Sequence, residues 1–513
     1  MRFLRFFVVL AALLAPALLA PALPAAAQSR MKAEEVVVAF AAEPRTLLPN
    51  TIVDWTTNNM VEHMYDRLVD RDPKTYKPIP MLATSWKVVD NTTWEFSLRS
   101  GVKFHNGEPF DAQSVKAAMD YIKDPANKTH YTARWNLVKE VQIVDPYTVR
   151  FITEKPWPGL IDRISLGDML MMPPKALKAE GPQGLLAKPV GTGPFKFGQW
   201  VRDEKLVVVR NDDYWKGKPE LKTVTFRFIP EFSARLASLL AGEIDIMKDV
   251  PPHATDLVDR SGKATVRATV SSRINYLALV TLKPGPMQDI RVRQAISHAI
   301  NVDELIQQVL RGRASKMCGP LSPINVDFSP KVQCLKYDVK QAQALLKEAN
   351  IDPGRLVLTL DTPSGRYPLD KDISQAIASQ LGRIGITANV VVNEWGTHPD
   401  KIKNRKTGDM FFLGWGPALD AQGTIEQLFQ GSMTYSSYGG NKLLDDKIQT
   451  AITIVDPKKR LEAWADIQQM VANEAPWVFL WQQHDLYGVA NWIDWQPRAD
   501  EKVWMYEAKI AKK

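Results

Sequence analysis

Two packed lobes of α/β architecture are what this chain predicts, on three observations. Its 513 residues exceed what one ordinary hydrophobic core organises, so more than one packed unit is expected. Strand and helix patterns alternate through Ile246 and again from Tyr337 to Val392, the order of a layered lobe seen twice. The stretch Pro80–Tyr121 combines a hairpin, an Asn-Gly turn and a capped helix, and the first cluster is organised around it.

At the amino terminus, Arg2 and Arg5 precede the apolar run Phe6–Ala20, which leads to Ala25-Ala26-Ala27. A basic start, a greasy core and small residues predict a secretory signal peptide over residues 1–27, cut near Ala27/Gln28. Pro16, Pro21 and Pro24 interrupt the end of the run and speak against a retained anchor. No cysteine stands near the cut, so no lipid attachment is expected there. Removing Arg2 and Arg5 from the formal +8 leaves +6, spread among acidic residues. No zinc-finger spacing, phosphate loop or basic stripe with interleaved aromatics accompanies it, so nucleic acid is not expected as a partner. The 45% hydrophobic and 24% charged content is that of a soluble globular protein.

The elements follow in order. Glu34–Ala42 is a β-rich run, broken by Glu43-Pro44-Arg45, and Asn58–Tyr65 belongs to a helix. Ser85–Val89 and Trp94–Leu98 form a hairpin about Asp90-Asn91, with Trp94, Phe96 and Leu98 on one face. After Asn106-Gly107, Asp111 caps a helix whose inner side carries Val115, Ala118 and Met119. Strands follow at Val141–Val144 and Val149–Thr153 about an Asp145-Pro146-Tyr147 turn, and Pro173-Pro174 starts a helix after Met171 and Met172, which read as core. In V190-G-T-G-P-F-K-F-G-Q-W200 the glycines permit a sharp change of direction before alternation resumes. Without a Gly-Lys-Ser/Thr ending this is no phosphate loop.

Leu206–Arg210 is a strand, Ser233–Gly242 an amphipathic helix, and Ile274–Val280 a strand. Asp289 caps a helix with Val292, Ala295, Ile296 and Ala299 on one face, and Asn301 breaks it. Cys318 and Cys334, the only cysteines, bracket a Pro-rich loop. In an oxidising compartment they read most simply as a disulfide worth about 3 kcal/mol, with two free thiols as the alternative. Beyond them come a helix at Tyr337–Ala349, strands at Val357–Leu360, Ala388–Val392 and Met410–Leu413, and helices at Ile373–Leu381 and Pro457–Val471. Val478–Trp481 is a last strand.

Four separated stretches in one order, Pro80–Tyr121, Val190–Trp200, Gln288–Leu310 and Gly408–Phe429, resemble the large extracytoplasmic solute-binding proteins of the oligopeptide, dipeptide and nickel class, often called family 5. The resemblance implies a periplasmic-binding-protein-like, class II, two-lobe α/β Venus flytrap with an extra subdomain in the first lobe. Lobe 1 is expected over 28–280 and 486–513, with an inserted subdomain at roughly 60–190, and lobe 2 over 281–485. It further implies a periplasmic monomer that hands a small-molecule or short-peptide ligand to an inner-membrane ABC permease. No cofactor and no metal ligated by the protein are expected. A secreted hydrolase is the alternative of another class, but neither a Gly-x-Ser-x-Gly elbow nor a His-Glu-x-x-His site is present, and no catalytic residue is expected.

For the ligand site, Met410–Leu413 runs into a Gly-Trp loop, and clefts at such strand ends suit solutes. Trp415 is the first candidate, and Trp395 resembles a cleft-facing position of relatives. Glu43, Thr46 and Trp55 are candidates from the resemblance, and Tyr435 and Tyr438 join as aromatics able to lie against a planar solute. In peptide-binding relatives an aspartate three residues after this tryptophan commonly receives the peptide's ammonium, and here that position is Ala418. A methyl cannot pair with a buried ammonium. Asp420 either replaces it from a shifted loop or is a turn residue. Peptide-like compounds, metal chelates, opines and small organic acids therefore all stand as ligand classes.

Overall fold

The computed structural model describes residues 25–51, 54–416 and 420–511. The expected signal peptide lies, up to residue 24, outside them. Ala25–Ala33 is a helix, and its Arg30 reaches buried Asp245 at 2.6 Å.

In chain order the strands are β1 (Glu35–Phe40), β2 (Val69–Arg71), β3 (Pro78–Pro80), β4 (Ala83–Asp90), β5 (Thr93–Leu98), β6 (Val138–Asp145) and β7 (Thr148–Thr153). Then come β8 (Phe195–Val201), β9 (Lys205–Arg210), β10 (Thr223–Phe228), β11 (Ile246–Met247), β12 (Ala264–Leu279) and β13 (Ala314–Lys316). There follow β14 (Val357–Ser364), β15 (Thr387–Glu394), β16 (Met410–Trp415) and β17 (Trp477–Ala490), and a short closing pair, β18 (Ile493–Asp494) and β19 (Lys509–Ile510).

The hairpin forms as its residues dictate. Asp90 accepts the Thr92 N–H at 2.8 Å and closes the turn, and Trp86 and Val88 face Phe96 and Trp94 across the pair. With β6 and β7 it makes a four-stranded antiparallel sheet in the order β4-β5-β7-β6. The helix Ala112–Lys123 lies over that sheet, capped by Asp111 and burying Val115, Ala118 and Met119.

The main sheet runs β15-β14-β16-β12-β17-β11-β1-β10-β9-β8, with β13 added beside β17. Its two ends are built by different stretches of chain, and β12 and β17 belong to both. Ala264–Val270 of β12 pairs with the carboxyl half of β17, and Ile274–Ala278 pairs with its amino half. The register shifts between them at Val270/Ile274, where Ser272 N–H turns to the Ala499 carbonyl instead. Beyond the shift, β12 also pairs with β16, which brings Trp415 opposite Ile274. Both strands are longer than the segments that alternation marks in the sequence, because the polar Ser271-Ser272-Arg273 and Gln482-Gln483 interrupt the apolar pattern where the sheet changes halves.

The Gly191-Thr192-Gly193 turn packs against backbone. A Cβ on Gly191 would stand 2.0 Å from the Met64 carbonyl, and one on Gly193 2.6 Å from the Met64 carbonyl carbon. Asp66, buried beside it, accepts from Thr192, Tyr214 and Trp215, so the aromatic pair after β9 locks this lobe together. Cys318 and Cys334 are joined, with Cα atoms 4.5 Å apart.

Candidate functional site

The helix Trp55–Val61, the 3₁₀ turn Thr132–Trp135, the segment Arg163–Asp168, the end of β16 and the loop after β14 converge on one cleft. The space between its atoms amounts to about 780 Å³, open solvent at the mouth included. Trp55, Tyr131, Tyr367, Trp395, Trp415 and Tyr435 give it an aromatic wall. Arg134, Arg163, Arg273 and Arg366 give it positive charge, set against Asp54 and Asp168.

Local sequence explains why these groups stay there. β16 ends in Gly414-Trp415-Gly416, and a Cβ on Gly414 would meet Asn275 at 2.5 Å and the Tyr367 ring at 2.8 Å. A Cβ on Gly416 would meet the Arg273 backbone at 2.9 Å. Glycine on both sides therefore lets Trp415 sit in the cleft while β12 and Tyr367 close in behind it. The indole N–H donates to the Gly423 carbonyl at 3.2 Å, and its ring lies 5.6 Å from Tyr435. Arg366 covers the rings of Tyr367 at 4.9 Å and Trp395 at 5.2 Å.

The charges are held from behind. Arg273 donates to both oxygens of Glu501 and to the Gly414 carbonyl, tying the chain's last described segment to the base of the cleft. Burial opposes charge on both partners, but their mutual attraction keeps Glu501 below the usual carboxylate range and Arg273 above its own. Arg134 is likewise penalised by burial and held charged by Asp168. Burial pushes the Tyr435 phenol up to about 12, so it meets a solute as a neutral hydroxyl.

Contacts outside the cleft lining also join distant stretches of chain. Arg45 pairs with Asp400 at 3.0 Å, Trp157 donates to Gln422 at 2.7 Å, and Lys155 donates to Gln449 at 3.0 Å.

A family model described as bacterial extracellular solute-binding proteins, family 5 Middle, matches residues 77–435, well over half of the chain. The chain belongs to family 5 of the extracellular solute-binding proteins. This family-5 chain is 28% identical over 461 residues to the glutathione-binding protein GsiB of Pectobacterium atrosepticum, covering 87% of this chain and 88% of that one. Among solved structures, the ABC transporter-associated periplasmic binding protein DppA of Helicobacter pylori in complex with peptide STSA superposes with a TM-score of 0.86. It is 26% identical, over 93% of this chain and 98% of that one. AgaA of A. tumefacien R10 in complex with agropinic acid superposes at 0.83, with 23% identity over 93% and 99% of the two chains. The fold is thus the two-lobe, class II α/β fold of periplasmic binding proteins. Members of the family are solute-binding transport proteins, not enzymes, and this one is an ABC-importer component that captures a small molecule for a permease.

In this family-5 protein, Trp415, Trp395, Tyr435 and Trp55 come together in the cleft. Tyr438 stands apart: its hydroxyl donates to Glu474 at 2.9 Å under Arg293. Glu43 pairs with Arg202 at 2.8 Å, and the Thr46 hydroxyl accepts from Leu48 N–H at 3.1 Å in a local turn; neither lines the cleft. Asp420 accepts the Gly423 N–H at 2.8 Å and shares a separate recess with Asp162 and Asp327. Ala418 lies outside the described residues. Among the described residues no group of three or more His, Cys, Asp or Glu is placed to hold a metal ion.

The four arginines, Asp54, Tyr131 and Tyr367 escaped the sequence reading. Arginine is ordinarily a surface residue, and nothing local marks a buried one. The available signal is that Arg273 and Arg366 sit in polar breaks, Ser-Ser-Arg and Ser-Gly-Arg, at the strand ends that face a cleft.

Proposed function

We propose that the protein works in the periplasm, after removal of a signal peptide near Ala27, as the capture component for a peptide-like solute that carries carboxylate. What carries this reading is the cleft lining, in which four arginines outnumber two aspartates beside six aromatic rings. Guanidinium groups match carboxylates in planar, two-pronged geometry, and aromatic faces take the remaining apolar or planar surface. Similarity to a glutathione-binding protein and to a peptide-bound DppA supports the same class.

An opine or small organic acid is the second reading, favoured by the placement of Asp420 outside the cleft, where it does not stand in for the aspartate missing at Ala418. The lobes we assign are 28–270 with 486–513, carrying an insert at roughly 60–190, and 274–485, in a monomer; the expected boundary at 280 moves back because Ile274–Leu279 pairs with β16. The hinge is where β12 and β17 change halves, near Ser271–Arg273 and Gln482–Asp485. Trp55, Trp395, Trp415 and Tyr435 are the aromatic contacts in this assignment.

Native mass spectrometry of the secreted protein tests it. Comparing gentle with denaturing conditions, we expect one released solute that fragments as a carboxylate-bearing molecule. A released solute without a carboxylate would overturn the reading. If only protein mass appears, a thermal-shift screen of acidic peptides, opines and organic acids decides, and no stabilisation by any of them would overturn it.

A further inference from the structure

The charges in the cleft are not matched one to one. On one side Asp168 accepts twice from Arg134, at 3.1 and 2.9 Å, and once from Arg163, at 3.1 Å. Arg163 is buried, yet its Nε and Nη2 have no partner. On the other side Glu501 is shared in the same way. Arg273 takes both of its oxygens, while Arg366 comes no closer than 3.9 Å and its buried Nε has no partner. Each side thus holds two guanidinium groups over one carboxylate.

Of the other carboxylates near these arginines, Asp485 lies in the field of Arg273 and accepts from Gln483, with its buried Oδ2 left without a partner and its pKa pushed by burial up to about 7; two more are already engaged. Glu426, in the field of Arg163, accepts from the side chains of Gln422 and Gln449, and burial pushes it towards its neutral form. Asp370 accepts four backbone N–H groups, from Gly365, Arg366, Tyr367 and Lys371. One acid in the lining is differently placed. Asp54 caps the helix Trp55–Val61 through Oδ2, which accepts from the Thr57 N–H and hydroxyl, while its buried Oδ1 has no partner.

Buried donors and acceptors left unmade are costly, so the solute that binds best is the one that completes them. We propose that the solute is an amino-dicarboxylate, with one carboxylate received by Arg163, the other by Arg366, and its ammonium by Oδ1 of Asp54. This rests on the reading of the cleft as the solute site and narrows it. A peptide with a single carboxylate leaves one guanidinium unmatched, and an acid without nitrogen leaves Asp54 unmatched. γ-Glutamyl compounds and N-carboxyalkyl amino acids both carry the required groups. Asp54 takes over the task that a carboxylate after Trp415 would otherwise perform.

Isothermal titration of the secreted protein with glutathione, γ-glutamylglycine and N-(1-carboxyethyl)alanine tests this, against the N-acetyl and monoamide derivative of each. Alanylalanine, succinate and nickel–histidine complete the panel. We expect at least one of the first three to bind at least about tenfold tighter than both of its derivatives. The advantage over the N-acetyl derivative should vanish in Asp54→Asn, which keeps an oxygen to cap the helix, and the advantage over the monoamide should shrink in Arg366→Gln. Equal or tighter binding of alanylalanine, succinate or nickel–histidine overturns the amino-dicarboxylate while leaving a solute-binding cleft. An unchanged ammonium preference in Asp54→Asn overturns the role of Asp54. Binding of nothing in the panel, with no solute released from the purified protein, overturns both.

Discussion

His63 shows what a single residue fixes in this fold. Fully buried, it donates from Nδ1 to the Asn59 carbonyl at 2.9 Å and accepts at Nε2 from the Met505 N–H at 3.1 Å. Those partners suit only the neutral ring. Burial, helped by nearby Lys502, pushes its pKa down from 6.5 to about 3. A histidine held neutral in the folded state gives stability that is complete above pH 6.5 and is lost as the pH falls from there towards 3. At about 1.4 kcal/mol per pH unit, the loss between pH 7.5 and 5 is about 2 kcal/mol from this residue alone. Urea unfolding of the native chain and of His63→Gln over that range checks it: the native curve should fall by about 2 kcal/mol more than the variant's. Parallel curves would refute the assignment. At the cleft, an arginine stripped of Glu501 would be a buried uncompensated charge, costing on the order of 3–5 kcal/mol.

Among elements, the turn Gly191–Gly193 couples sequence to site most tightly. His105 donates from Nε2 to the Gly193 carbonyl and accepts the Gly191 N–H at Nδ1, so the turn is held on one side by the stretch after the hairpin. On the other it touches the backbone of residues 63–65. Gly191→Ala forces a methyl onto the Met64 carbonyl and should lower stability by at least about 1–3 kcal/mol, the usual cost of overpacking. A thermal melt reads this directly, and an unchanged midpoint would mean the turn yields freely. Elements of this kind were legible in the sequence: turn glycines, Asp and Asn caps, and alternating or helical apolar spacing located the hairpin, the helices after Asp111 and Asp289, and the strand into Trp415. Strands β12 and β17 were only half legible. Their middles are polar because they serve the crossing between halves, and polarity there erased the alternation that marks a strand. Of the aromatic lining, Trp395 and Trp415 were legible from their place after strands, Trp55 from the family resemblance and Tyr435 as a nearby aromatic, whereas Tyr131 and Tyr367 were not. The arginines and Asp54 were not, since their significance lies in unequal sharing of two carboxylates that come from residues far apart in the chain.

For the whole molecule, the two halves of the main sheet are joined through β12 and β17, and Arg45–Asp400 and Trp157–Gln422 tie together stretches far apart in the chain. A solute that touches both halves shifts the balance between open and closed forms only by its difference in affinity for them. Trp55 and Tyr131 line the cleft together with Trp395, Trp415 and Tyr435, and in the proposed closed form these rings would meet the solute at once. Capture and presentation to a permease then follow from one motion. Small-angle X-ray scattering, with and without a saturating solute found by titration, tests this most directly. A smaller radius of gyration on binding is expected in the native chain, with a reduced change in Trp415→Ala. An unchanged radius at full occupancy would contradict closure around the solute.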